Sequence, residues 1–159
     1  MCNDRCIAAL LDDKDCAILA LLQEQGDLPN LELARRVNLS PAATSRRVTR
    51  LRAEGVIEAV RAVVTPDAVG LPLQAFVLVT LADHSAEADA RFARAVADLP
   101  GVLRADAITG DQDALVHVAA ATPQDLHRLV LALKRAGAAR ALTMLRLQAI
   151  KPPSPVPVA

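Results

Sequence analysis

The chain has 159 residues, 18 Lys and Arg balanced by 18 Asp and Glu, 53% hydrophobic residues, two Phe, and neither Trp nor Tyr. That is enough apolar side chain for one or two small packed domains, and zero net charge excludes both a polycation that coats nucleic acid and a disordered acidic tail. No apolar run approaches the roughly 18 residues of a membrane helix, and no basic segment leads into a long hydrophobic one at the N-terminus, so a soluble, cytoplasmic protein without membrane partners is expected.

From Asp12 to Gln25, Ala17, Ile18, Leu21 and Leu22 recur at helical spacing behind an acidic first turn, which predicts a first helix closed by Gly26. Asn30 is the predicted cap of a short second helix through Arg36, with Leu33, Ala34 and Val37 on its inner face. Asn38, Leu39 and Ser40 then turn the chain. Ser40 followed by Pro41 predicts the start of a third helix running to Glu54, because serine accepts from free amides and proline in the first turn sacrifices no helical bond.

Charge is concentrated here. Between positions 35 and 61, Arg35, Arg36, Arg46, Arg47, Arg50, Arg52 and Arg61 face only Glu54 and Glu58. At 100° per residue, Thr44, Val48 and Leu51 point one way and Ala42, Ala43, Arg46, Thr49 and Arg50 the other. One face packs; the other is cationic and shallow, the shape of a major-groove reader. Arg46 and Arg50 are the candidates for base edges, and Arg47, Arg52 and Arg61 for phosphates. Ser40, Ala42, Ala43, Ser45 and Thr49 complete the expected surface for double-stranded DNA, while Arg35 and Arg36 decorate the second helix. Val56 to Val64 reads as the two short strands of a wing.

Pro66 to Pro72 is the expected linker. A second module follows in the order strand (Leu73–Leu81), helix (Ala86–Leu99), strand (Val102–Thr109), strand (Ala114–Ala121), helix (Pro123–Ala136), strand (Ala139–Ile150). This is an α+β, split βαβ–βαβ sandwich. In Leu73 to Leu81 both alternating faces are largely apolar, and two helices cover only one. Dimerisation sheet to sheet is therefore expected, setting two basic helices at a fixed spacing for a roughly palindromic operator. After Lys151 the tail PPSPVPVA is expected to be extended and disordered. The domains are thus 1–65, a linker 66–72, 73–151, and a tail 152–159.

Gly110, Asp111, Gln112 and Asp113 join the two central strands. The aspartates could be turn-formers; equally, they could hold the ammonium group of a free amino acid while backbone amides take its carboxylate. Cys2, Cys6 and Cys16 are an odd set, which argues against a disulfide framework; without a nearby histidine they are also an incomplete zinc set. His84, His117 and His127 are scattered, no serine lies in a GxSxG turn, and no glycine-rich phosphate loop occurs, so neither metal, cofactor nor catalytic group is expected.

Leu11-Asp12 with Asp15 and Ile18-Leu19, the run LELARRVNLSPAATSRRVTRLRAEGVI (Leu31 to Ile57), Val69-Gly70-Leu71, Phe76-Val77, and TGDQDALV (Thr109 to Val116) resemble the Lrp/AsnC family of prokaryotic transcription regulators. The resemblance implies a winged helix-turn-helix joined to a ferredoxin-like effector domain, dimers that often assemble into octamers, and amino-acid effectors. It implies that Pro41 to Glu54 is the recognition helix, that Gly110 to Asp113 is the effector loop, and that Thr143 is the last-strand threonine of the effector site. The chain departs from the family's usual residues at Val60, Ala114, Leu142 and Met144. Two alternatives accompany this reading: a metabolite-binding or siroheme-decarboxylase-like enzyme on the same architecture, and a thiol- or metal-responsive regulator using the N-terminal cysteines.

Overall fold

The computed structural model describes residues 11–158; Cys2 and Cys6 lie outside them. The chain divides into two compact units, Met1–Val63 with Lys151–Ala159, and Val64–Ile150.

Among its described residues the first unit holds three helices, α1 (Asp13–Glu24), α2 (Asn30–Arg36) and α3 (Pro41–Ala53). α1 opens with a reciprocal cap: the Asp15 amide donates to Asp12 Oδ1 at 2.9 Å and the Asp12 amide to Asp15 Oδ2 at 3.2 Å, which satisfies two amides the helix leaves without partners. α2 ends on Asn38 at φ 54°, with the Leu39 amide reaching back to Ala34 O at 3.0 Å. Asparagine tolerates this left-handed corner, so α3 leaves in a new direction after a tight turn. Ser40 accepts from the Ala43 amide, as expected, and Pro41 sits in the first turn. α3 closes in the same way as α2 on Gly55 (φ 73°), where a side chain would be strained. Ile18, Leu19, Leu28, Leu33, Val37 and Leu51 form the core between the helices.

Three expectations for this unit are corrected. Asn30 does not cap α2; its Nδ2 donates to Pro41 O at 3.0 Å, tying the start of α2 to the start of α3. The wing strands expected over Val56–Val64 do not pair: the Val56 and Ile57 amides turn back onto Leu51 O, and 58–64 carry no ladder and are exposed. A lone two-stranded ribbon is marginal in water, and Val60 instead lies against the Gly26 turn, where a Cβ on the glycine would come within 3.0 Å of it. The tail is extended but held, through bonds between Val156 and Gln23 and the packing of Val158 on the first core.

The second unit begins with a 3-10 turn, Pro66–Val69, inside the expected linker. An antiparallel sheet of order β2-β3-β1-β4 follows, built from β1 (Leu73–Leu81), β2 (Val102–Ala107), β3 (Ala114–Ala120) and β4 (Ala138–Leu145). α4 (Ala86–Ala97) and α5 (Pro123–Arg135) cover one face. The period of two puts Ala75, Val77, Val79, Val116 and Val118 under these helices, where Phe92, Val96 and Leu133 meet them. β4 is shorter than expected, for a physical reason. Its last ladder partner is Ala75, one further bond runs from the Arg146 amide to Gln74 O, and beyond Leu73 the partner chain is Pro72, which has no amide to give. β2 is an edge strand with an irregular register between Val102 and Arg104.

The other face carries Gln74, Phe76, Leu78, Leu115 and His117, with Leu142 and Met144 49% and 42% exposed. Phe76 stacks on His117 at 4.7 Å between ring centroids, and His117 Nε2 is buried with no hydrogen-bond partner. Burial holds the imidazole pKa below its ordinary value.

Candidate nucleic-acid interface and ligand site

α3 has a packed side and an open side. Thr44 and Leu51 are fully buried, with the Thr44 hydroxyl donating to Ser40 O at 3.1 Å, and Val48 is half-buried. Ala42, Ser45, Arg46, Thr49 and Arg52 are exposed, while Ala43 is half-buried. The division expected from helical periodicity is therefore present.

The arginines do not share one environment. Asp15, with only 1% of its side chain exposed, takes Arg47 Nη1 on Oδ1 at 2.9 Å and Arg50 Nη2 on Oδ2 at 2.5 Å. Asp12 takes the same Arg47 nitrogen at 2.7 Å. The Asp12 carboxyl is held below its ordinary range first by the Asp15 amide and then by Arg47, and the Arg47 guanidinium is raised by Asp12 and Asp15. Two arginines of α3 thus reach back to α1 and fix the helix by its basic side. A buried carboxylate needs such partners, so Arg47 and Arg50 are engaged inside the unit, although Arg50 stays 42% exposed.

Arg35 and Arg36 both close on Glu32 within α2, pulling its pKa down to about 2. Among the described residues Arg46, Arg52 and Arg61 have no carboxylate within ion-pair distance; all three are exposed. The basic island of the sequence resolves into four guanidinium groups paired with carboxylates and three exposed ones without such a partner among the described residues. Periodicity alone missed Asp12 and Asp15 as positioning residues. Their signal was an Asp-x-x-Asp cap, with each carboxylate placed to do double duty.

In the second unit, Gly110 adopts φ 127° in the loop joining β2 to β3. The two loop aspartates part company. The Asp113 amide donates to Val79 O at 2.8 Å, its Oδ2 accepts from the Leu81 amide at 2.8 Å, and His84 Nδ1 lies 3.6 Å from Oδ1. Asp113 therefore fastens the loop to the end of β1. Asp111 is exposed, with no hydrogen bond or ion pair among the described residues, and Gln112 is half-buried. Asp113 also lines an open cavity of about 610 Å³ between α4 and β2, with His84, Asp89, Phe92 and Ala105 around it. Thr143 is not part of that lining; it is exposed on β4, paired with Val77, at the opposite edge of the sheet. Cys16 is half-buried in α1, and the described residues contain no cluster of His, Cys, Asp and Glu able to hold a metal ion.

Residues 11–58 match the family described as winged helix-turn-helix DNA-binding, and residues 74–156 match the Lrp/AsnC ligand binding domain. The chain belongs to the Lrp/AsnC family of transcription regulators. The leucine-responsive regulatory protein of Rhizobium meliloti is 39% identical over 111 residues, 69% of this chain and 70% of that protein. An HTH-type transcriptional regulator of Sinorhizobium fredii is 39% identical over 124 residues, 76% of this chain and 73% of that protein. Among solved structures, the transcriptional regulator NMB0573 of Neisseria meningitidis in complex with L-Met superposes with a TM-score of 0.84 at 35% identity, covering 92% of this chain and 96% of that one. As an Lrp/AsnC member the protein is a DNA-binding transcription regulator with a ligand-binding domain. Its relatives are transcription regulators, not enzymes, which sets aside the decarboxylase-like alternative. No helix among the described residues is long and apolar enough to cross a membrane.

Proposed function

We propose that α3 reads an operator through Arg46, helped by the exposed Ala42, Ser45 and Thr49, while Arg52 and Arg61 neutralise phosphates and Arg47 and Arg50 set the angle of the helix. The observation that carries this reading is the division of the arginines by pairing: Arg46, Arg52 and Arg61 are exposed and have no carboxylate partner among the described residues, whereas Arg47 and Arg50 are bound to Asp15. The Ser40 cap and Ala43 shape the N-terminal end of the helix that would enter the groove. Arg46→Ala should weaken binding to a specific operator about tenfold per half-site, as expected for loss of a bidentate base contact, and leave non-specific binding little changed. Arg52→Ala should weaken both kinds of binding and reduce the slope of log K against log salt by about 0.9 per contact removed. Gel shift at several salt concentrations reads both. An Arg46→Ala protein that still discriminates operator from random duplex overturns the assignment.

The open face of the sheet is the proposed self-association surface. Phe76, Leu78, Leu115, Leu142 and Met144 form one apolar expanse that a second copy would bury, giving a dimer whose two reading helices meet successive major grooves of a roughly palindromic site. Leu78→Asp should yield monomers by light scattering; dimers of unchanged strength would exclude this face.

The proposed effector is an amino acid held by the Gly110–Asp113 loop, with Asp111 toward its ammonium group; Thr143, on the opposite edge of the sheet, would join such a site only from a second copy of the chain. Support comes from the exposed, unengaged carboxylate of Asp111 and from the L-Met carried by the Neisseria relative. Ligand that prefers the folded state raises its melting midpoint by mass action. A thermal-shift series across the amino acids should therefore show at least one that stabilises the protein and loses its effect in Asp111→Asn; a series with no shift rejects the effector.

A further inference from the structure

Gln23, near the end of α1, pairs with the backbone of Val156 in the tail: Nε2 donates to Val156 O at 3.0 Å and the Val156 amide donates to Oε1 at 2.7 Å. A primary carboxamide offers one donor and one acceptor side by side, so it can engage an extended peptide as a neighbouring strand would. Val156 stands between Pro155 and Pro157, and proline has no amide. The glutamine therefore meets the single residue of that triplet able to answer on both sides. Two residues on, Val158 is half-buried against the core that contains Ile18 and Leu19 of α1. Prolines at 152, 153, 155 and 157 hold the segment extended before it docks, which lowers the entropy lost on docking.

The chain leaves the DNA-binding unit after Val63 and rejoins it at Lys151. With one covalent connection, two domains move against each other by default. A second connection, formed by a seated tail, converts the intervening unit into a closed loop and confines that motion.

We propose that residues 152–158 are a docking strap whose seat is the α1 surface around Gln23, and that the strap restricts the DNA-binding unit so that operator affinity depends on a segment that never touches DNA. The strap carries no charged side chain, so its loss removes no phosphate contact.

The test uses the 159-residue protein, Gln23→Leu, Val158→Asp, and a chain ending at Lys151. In hydrogen exchange, the Val156 amide of the parent protein should exchange about tenfold more slowly than that of Ser154, and Gln23→Leu should abolish the difference. Leucine keeps the helix, so this readout does not depend on unfolding the unit. All three variants should bind a specific operator about three- to tenfold more weakly, with the salt slope unchanged. Equal exchange of Val156 and Ser154 in the parent overturns the strap. So does unchanged operator affinity in the variants, and so does a shallower salt slope, which would mean that the variants disturb the phosphate contacts of the DNA-binding unit itself.

Discussion

The DNA-binding unit is pinned by charge, with Asp15 buried beneath two arginines of α3, whereas the ligand-binding unit is closed by aliphatic side chains over a sheet, with Leu133, Val77 and Val116 fully buried. The first arrangement sets direction: a carboxylate with two fixed partners tells α3 how to rotate, at the cost of desolvating an ion. The second resists compression and holes but says little about orientation. A small unit that must present one helix face needs the former, and a scaffold that must hold a sheet under two helices is served by the latter.

Breaking the aliphatic unit should have the largest effect. Leu133→Ala should lose about 3 kcal/mol in the denaturant unfolding of the ligand-binding unit, while operator contacts in the other unit keep their salt dependence. Equal loss in both units would show that they unfold as one, and the contrast drawn here would fail. Asp15→Ala should cost about 2 kcal/mol, less than for a fully buried pair because Arg47 and Arg50 can turn to water. It should also blunt discrimination between operator and random duplex, since the reading helix loses its anchor. Thermal unfolding and competition gel shift measure the two effects, and an Asp15→Ala protein with native discrimination would return α3's orientation to packing alone.

Acid sharpens the comparison with a smaller effect. Burial depresses the folded-state pKa of His117, so its contribution is complete above the ordinary value of 6.5 and is lost as pH falls through 6.5 toward the folded value. Glu32 is depressed to about 2 from an ordinary 4.5, so its contribution is present above 4.5 and is lost as pH falls toward 2. The ligand-binding unit should therefore soften first on acidification and the DNA-binding unit later. His117→Phe should remove the step near 6.5 in a pH series of melting curves; a step that survives the substitution belongs to another group.

Much of this was legible in sequence because it is local. Ser40-Pro41 marks the start of α3 whatever surrounds it, and the alternation from Leu73 to Leu81 sorts its own faces. Arg46 and Arg50 were not separable that way. They lie one turn apart on the same helix, about 40° round from each other, and only the position of α1 decides that Arg50 meets the buried carboxylate of Asp15 while Arg46 does not. Asp113 was similarly ambiguous: its bond to the Leu81 amide joins positions 32 residues apart. The tail's composition announced an extended chain, but nothing in PPSPVPVA names Gln23 as its partner.

The uneven register where β2 passes from Val102 to Arg104 also has an outcome for how copies of this chain can meet. An outer strand with a regular row of open amides and carbonyls invites another chain to extend the ladder sideways, and repetition of that step yields fibres. The kink interrupts the row, and the adjoining Arg104–Asp106 pair sets two charges beside it. Both features disfavour lateral addition of another chain at that border.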